Sequence, residues 1–234
     1  MQTVILKDLG NMHYKEAWDL QEELLQQNLL KKKEASLTSH FFLMVEHPPV
    51  YTLGKSGKEE HVLISNTDRE QKGIEYFKIN RGGDITFHGP GQIVGYPILD
   101  LELFFTDIGR YLRNLEEVII LTLAEYGIRG ERSTGETGVW IEPGIKGRER
   151  KICAMGVRCS RWITMHGFAF NVNTDLSYFD YIVPCGIHDK EVTSLQKELG
   201  RPLSMDVVKQ QVQRNFEKVF NVKLETIKET NPSA

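Results

Sequence analysis

Among the side chains able to form a covalent intermediate, Cys185 has the most telling context, Val183-Pro184-Cys185-Gly186-Ile187. Proline and glycine force a turn there, which leaves a thiol at a surface or cleft rather than on the apolar face of a helix. Cys153 alternates within an apolar run and Cys159 follows Arg158, so both read as packed or incidental thiols. The nucleophile is the thiolate, and a thiol of pKa ~8.5 is mostly protonated at neutral pH unless a cation lies beside it. Lys151, His88, His166 and His188 are the basic candidates, and composition alone does not choose among them.

A second stretch is built to grip a ligand. Residues 81–92 read Arg-Gly-Gly-Asp-Ile-Thr-Phe-His-Gly-Pro-Gly-Gln, with four glycines that let the backbone approach closely while Arg81, Thr86, His88 and Gln92 supply donors. Apolar runs at 74–79 and 93–99 predict strands that hold this loop on a sheet. No Gly-Lys-Ser/Thr ending follows, so a phosphate cradle is disfavoured. The Arg-Gly-Gly triplet occurs once between apolar strands, unlike the repeated boxes of RNA-binding tails.

The elements that must position these residues fit an α/β class. Residues 4–6 predict a first strand, 14–35 a helix, 41–45 a central strand apolar throughout, and Val50–Leu53 another strand before a Gly-Lys-Ser-Gly turn. A helix is expected over 107–126, ended by Gly127, and another after Ser204 with Val208, Val212, Phe216 and Phe220 on one face. Between them, strands at 139–141 and 152–157 flank a polar turn that sets Lys151 at a strand entrance, and 168–172 forms a further strand. The last helix and strand read as a small appendage, and residues 231–234 as a frayed end.

With 234 residues, 40% of them hydrophobic, the chain is long enough for a sizeable core, and without repeat or linker it is expected to form one unit over 1–234. A formal charge of -3 gives no global pull toward nucleic acid or an anionic membrane. Three cysteines without paired Cys-x-x-Cys spacing point to free thiols in a reducing compartment, with neither disulfide nor structural zinc. The short apolar start meets Lys7 and Asp8 too early for a secretory leader, and no run approaches membrane-spanning length, so a soluble cytoplasmic protein is expected.

Taken together, several motifs resemble the lipoate-biosynthesis octanoyltransferases over almost the whole chain. They are Tyr14-x-x-Ala17-Trp18-x-x-Gln21, the run Glu46-His47-Pro48-Pro49-Val50-Tyr51-Thr52-Leu53-Gly54, the loop 81–92 followed by Tyr96-Pro97, Gly138-Val139-Trp140, Lys151-Ile152, His166-Gly167-x-Ala169-x-Asn171, and Pro184-Cys185-Gly186-Ile187 followed by Val192-Thr193-Ser194-Leu195. The resemblance implies the biotin/lipoate protein ligase-like α/β (α+β) fold, a mixed β-sheet flanked by helices. It implies transfer of an octanoyl group from octanoyl-acyl carrier protein to a lysine of lipoyl domains. The implied acceptors are those of 2-oxoacid dehydrogenase complexes and the glycine cleavage H protein. Carried over to this chain, Cys185 holds the acyl thioester and Lys151 is its partner. Substrate contacts fall on Arg81, Gly82, Gly83, Asp84, Ile85, Thr86, Phe87 and His88, on Ala154, Met155 and Gly156, and on Gly167, Phe168 and Ala169. Neither cofactor nor metal is implied.

That chemistry is self-consistent: exchange between thioesters is near balance and transfer to an amine runs downhill, so no ATP is needed. Lys151 serves as base or as the cation paired with the thiolate, and backbone N–H groups near His88 and Ala154 to Gly156 are candidate oxyanion donors. An acidic carrier would meet local cations, for which Arg148, Arg150, Arg158 and Arg161 are nearest Lys151 in sequence. Cys153, two residues along, is expected on the same strand face as Lys151, where a secondary acylation is conceivable. Three rivals remain: an ATP-dependent lipoate ligase of the same fold, a non-catalytic acyl or lipoyl-domain binding module, and a Cys-His amidase using His88 or His166.

Overall fold

The computed structural model describes residues 1–183 and 191–226. Cys185 and His188, and the expected frayed end, lie outside the described residues.

The chain opens with β1 (Gln2–Asn11), α1 (Tyr14–Lys33), β2 (Phe41–Glu46) and β3 (Val50–Leu53). In β2, Phe42 and Met44 enter one apolar cluster while Leu43 and Val45 enter another on the opposite face. A strand with both faces covered has no solvent side to mark with polar residues, which is why Phe-Phe-Leu-Met-Val is apolar throughout. There follow α2 (Asn66–Gln71), β4 (Glu75–Lys78), β5 (Ile85–His88) and β6 (Gln92–Ile98). Next come α3 (Ile108–Ala124), β7 (Glu131–Ser133), β8 (Glu136–Ile141), β9 (Arg150–Ser160) and β10 (Ile163–Asn171). The described chain ends with β11 (Glu191–Val192), α4 (Leu195–Leu199), α5 (Met205–Phe220) and β12 (Val222–Thr226).

Among the described residues, nine strands form one mixed sheet in the order β12-β1-β2-β6-β10-β9-β8-β7, with β11 paired to β9. The pairs β1–β12, β1–β2 and β9–β11 are parallel, and the others are antiparallel. Helix α1 covers one face through Ala17, Leu24 and Leu25. Helices α3 and α5 cover the other through Leu115, Ile119, Val212 and Phe216. Asp107 and Ser204 cap these two helices, each side chain accepting a backbone N–H three residues on. A smaller sheet, β4-β3-β5, packs its own cluster beside the 3-10 turns at Leu176–Tyr181.

Two expectations are corrected here. The stretch 81–92 is not a loop throughout, because Ile85–His88 is a strand paired antiparallel with Val50–Leu53; its leading strand β4 belongs to the small sheet and its following strand β6 to the large one. The last helix and strand are no appendage either. β12 extends the main sheet through β1, and Phe216 stacks on Phe42 at 4.3 Å in the core. A helix and an exposed strand look detachable in sequence because their partners, β1 and β2, lie far away along the chain.

Candidate active site

The gap between the small sheet and the β9–β10 hairpin of the large one is a cavity of about 610 Å³, within the range of about 300–1,000 Å³ usual for small-molecule sites. Its walls bring together three of the expected segments: Arg81 to Thr86 with His88, Ala154 to Gly156, and Gly167 to Ala169, with Lys151 beside them. Gly156 permits the approach of the first two, since a Cβ there would lie 2.7 Å from the Gly82 oxygen. Gly82 N–H donates to Val157 O at 3.0 Å across the same contact.

Phe87 is not part of this wall. Side chains alternate along β5, and Phe87 turns into the small sheet's core, stacked on Tyr178 at 4.6 Å. Tyr14, Tyr96 and Asn171 do line the cavity. They stand in the motifs quoted above, but a tyrosine or asparagine in an apolar frame carries no sign of which way it faces.

Lys151 reaches the cavity through an irregularity in strand pairing. Val139 on β8 pairs with Cys153, yet its neighbour Trp140 pairs with Lys151. The extra residue, Ile152, makes a β-bulge that puts Ile152 and Cys153 together in the core on the α3 side. Lys151 is turned to the opposite face, where its Nζ lies over the Trp140 ring, 4.5 Å from the centroid. The expectation that Lys151 and Cys153 share a face is thus overturned, because a bulge breaks the two-residue alternation. Cys153 is fully buried, and burial pushes its thiol well above the usual range, so it is a core residue and not a second acylation site.

The Arg81 guanidinium serves the backbone. Its Nη2 donates to Thr52 O at 2.7 Å and Thr52 Oγ1 at 3.0 Å, and its Nη1 to Gly82 O at 3.0 Å, which shapes the glycine turn. Asp84 likewise accepts from its neighbour Ile85 N–H at 2.7 Å and lies 2.6 Å from His61 Nδ1.

The histidines near the cavity are buried and neutral. His47 Nδ1 donates to Met12 O at 2.7 Å, which leaves Nε2 to accept from Tyr96 O–H at 2.8 Å; burial, more than the nearby His13, lowers its pKa to about 4. His166 Nε2 donates to Asn80 Oδ1 at 3.0 Å, and burial, aided by Arg81 and Arg158, lowers its pKa to about 3. His88 is held well below the ordinary value, again chiefly by burial and then by His47. Near neutral pH neither His88 nor His166 is the cation a thiolate needs, which disfavours the Cys-His rival.

These lowered values make stability depend on pH. The unfolded chain takes up protons at His47, His88 and His166 as pH falls below ~6.5, while the folded chain resists until about 4 or lower. Stability is therefore full above pH ~6.5 and falls steadily below it, by on the order of 3 kcal/mol for His166 or His47 alone. Thermal midpoints measured from pH 8 to 4 are expected to be level and then to decline, and His166→Gln is expected to flatten the decline. A midpoint unchanged down to pH 4 would contradict this account.

The anticipated arginine patch is largely ion-paired within the chain. Arg150 pairs with Glu198 at 2.7 Å and with Glu142 at 2.5 Å, Arg148 with Glu142 at 2.6 Å, and Arg158 with Glu22 at 2.6 Å. Only Arg161 of the four lacks an ion pair among the described residues.

The sequence profile of the lipoyl protein ligase A/B catalytic domain matches residues 13–217. The chain is 57% identical over 228 residues to an octanoyltransferase of Flavobacterium psychrophilum, covering 94% of this chain and 97% of the relative. It is 51% identical over 237 residues to an octanoyltransferase of Cytophaga hutchinsonii, with 98% and 97% covered. Among solved structures, a putative lipoate protein ligase from T. acidophilum superimposes with a TM-score of 0.69 at 15% identity, covering 98% of this chain and 90% of that one. The biotin protein ligase of Aquifex aeolicus in complex with biotin and ATP gives 0.53 at 14% identity, with 94% and 70% covered. These two share the fold, which is the mixed sheet flanked by helices expected of biotin and lipoate ligases. Among the described residues no helix is long and apolar enough to cross a membrane. The cavity, the Lys151 strand and the matched relatives agree: the chain belongs to the lipoyl protein ligase A/B catalytic-domain family and, within it, to the octanoyltransferases.

Proposed function

We propose that the chain works as one cytoplasmic catalytic unit that moves an octanoyl group from the thioester of acyl carrier protein to a lipoyl-domain lysine, with Cys185 holding it in between. The acceptors are lipoyl domains of 2-oxoacid dehydrogenase complexes and the glycine cleavage H protein. The observation that carries this reading is the bulge at Ile152, which aims the Lys151 amine into a cavity lined by glycines, Ala154, Ala169 and buried neutral imidazoles. An acyl chain is accepted there, and the wall carries the Lys151 amine together with the backbone-bonded Arg81 guanidinium.

In the first half-reaction the Cys185 thiolate, paired with the Lys151 ammonium, attacks the thioester carbonyl. The carrier's sulfur leaves as the carbonyl re-forms, and the proton on Lys151 is available to it. In the second, the acceptor lysine attacks the Cys185 thioester, Lys151 takes the proton lost by that amine, and the cysteine sulfur departs. Beyond Cys153 the outer edge of β9 pairs with no strand among the described residues, so its backbone N–H groups are candidate donors to both oxyanions.

Intact mass spectrometry tests the whole reading. After mixing with octanoyl carrier protein, the enzyme is expected to gain one octanoyl group and to pass it to apo lipoyl domain without ATP. Transfer only from free acid with ATP would mark a ligase, and no self-acylation would mark a binding module.

A further inference from the structure

The motifs that named Gln92 and Asn171 leave both without a role in the transfer just described. In the fold they join across neighbouring strands, since Asn171 on β10 is the register partner of Gln92 on β6. Gln92 Nε2 donates to Asn171 Oδ1 at 2.9 Å and to Phe87 O at 3.1 Å. Its Oε1 accepts from His88 Nδ1 at 2.9 Å. Asn171 Nδ2 in turn donates to Thr193 O at 3.0 Å, and Thr193 N–H donates to Lys151 O at 3.0 Å. At the far end His88 Nε2 faces Thr52 Oγ1 at 3.4 Å, and Arg81 donates to the same hydroxyl at 3.0 Å.

Donor and acceptor are assigned at each of these contacts, because carbonyl oxygens at Phe87 and Thr193 fix which way both amides point. Every side chain in this hydrogen-bonded series is buried, Gln92 at 1% and Asn171 at 4% exposure, so a broken bond leaves a largely desolvated polar group behind. The chain runs from the glycine turn that lines the acyl cavity to the peptide on which Lys151 is registered. That register needs support. β11 is only two residues long, pairing Glu191 with Arg150 and Val192 with Lys151, and Asn171 clamps Thr193 immediately after it.

We propose that Asn171, held by Gln92, is a positioning residue for the transfer, setting Lys151 and the strand paired with it at a fixed distance from the loop that holds the acyl chain. This rests on the role given to Lys151 above. Neither amide acts on the substrate chemically. Their effect falls on the placement of reacting groups, where an error near 1 Å costs about 100-fold in rate.

The test is steady-state kinetics of Asn171→Leu, Gln92→Leu and the double variant, with octanoyl carrier protein and apo lipoyl domain, on protein shown folded by circular dichroism. Each single variant is expected to lose about 10- to 100-fold in kcat while KM for the octanoyl carrier stays within about twofold. The double variant is expected to be little worse than the weaker single one, because both break one chain. Asn171→Gln, which keeps donor and acceptor on a longer arm, is expected to regain part of kcat where Asn171→Leu does not. A kcat within about twofold of wild type, a loss confined to KM, or fully multiplicative losses would overturn the proposal. So would unfolding of both single variants at the assay temperature, which would assign the chain to stability alone. If Cys185→Ser proved active while these kcat losses held, the nucleophile assignment would fail and the positioning role would stand.

Discussion

Cys185→Ser is expected to lower octanoyl transfer by about 1,000-fold or more, the scale on which removal of a covalent nucleophile is felt. A serine hydroxyl keeps the size of the thiol but offers almost no anion near neutral pH, so both thioester formation and onward transfer stop. Cys153→Ser and Cys159→Ser are expected to retain most activity. Cys153 is buried in the core with its thiol pushed up by burial, and the Cys159 thiol is likewise raised by burial. The measurement is transfer of octanoate to apo lipoyl domain, with intact mass locating the acyl group. Turnover near wild type by Cys185→Ser, or acylation persisting at Cys153, would remove Cys185 from the mechanism.

Lys151→Ala is expected to slow both half-reactions by about 100- to 10,000-fold, the range over which a positioned acid–base group acts. It is also expected to raise the pH at which iodoacetamide alkylates Cys185, because the cation that stabilises the thiolate is gone. Lys151→Arg separates the two roles. It restores a positive charge, so the alkylation profile should return toward wild type, but a guanidinium does not release its proton in this pH range and transfer should stay slow. An unchanged alkylation profile with intact transfer in Lys151→Ala would refute the dyad. Trp140, whose ring lies beneath the amine, is left in place in both variants.

Much of the frame was legible because it is written locally. Helices α3 and α5 show their apolar spacing within a few positions, and Ser204 caps α5 as its place before that spacing suggests. β2 and β6 show unbroken apolar runs because the sheet is covered on both faces. β3 was bounded as found, between Pro49 and Gly54. Other elements were hidden because their evidence lies elsewhere in the chain. Beyond its apolar run at residues 4–6, β1 continues through polar residues to Asn11 because β2 pairs with it there, and Ile85–His88 is a strand only because β3 lies beside it. The arginines near Lys151 looked free until the fold brought Glu22, Glu142 and Glu198 to them.

The same division runs through the site. Sequence by itself determined the candidates: a glycine-rich stretch, a lysine entering a strand and the motif Pro184-Cys185-Gly186, in an order that resembles one family of acyltransferases. Only the tertiary structure decided how the first two face each other. The pairing of Trp140 with Lys151 and of Val139 with Cys153 inserts Ile152 as a bulge, so that the lysine meets the cavity while the neighbouring thiol is buried. Alternation along β5 sends Phe87 into the core and keeps His88 at the cavity wall. Strand register is a property of two chain segments at once, and a shift of one residue reverses every side chain, so neither segment alone records which face its residues take.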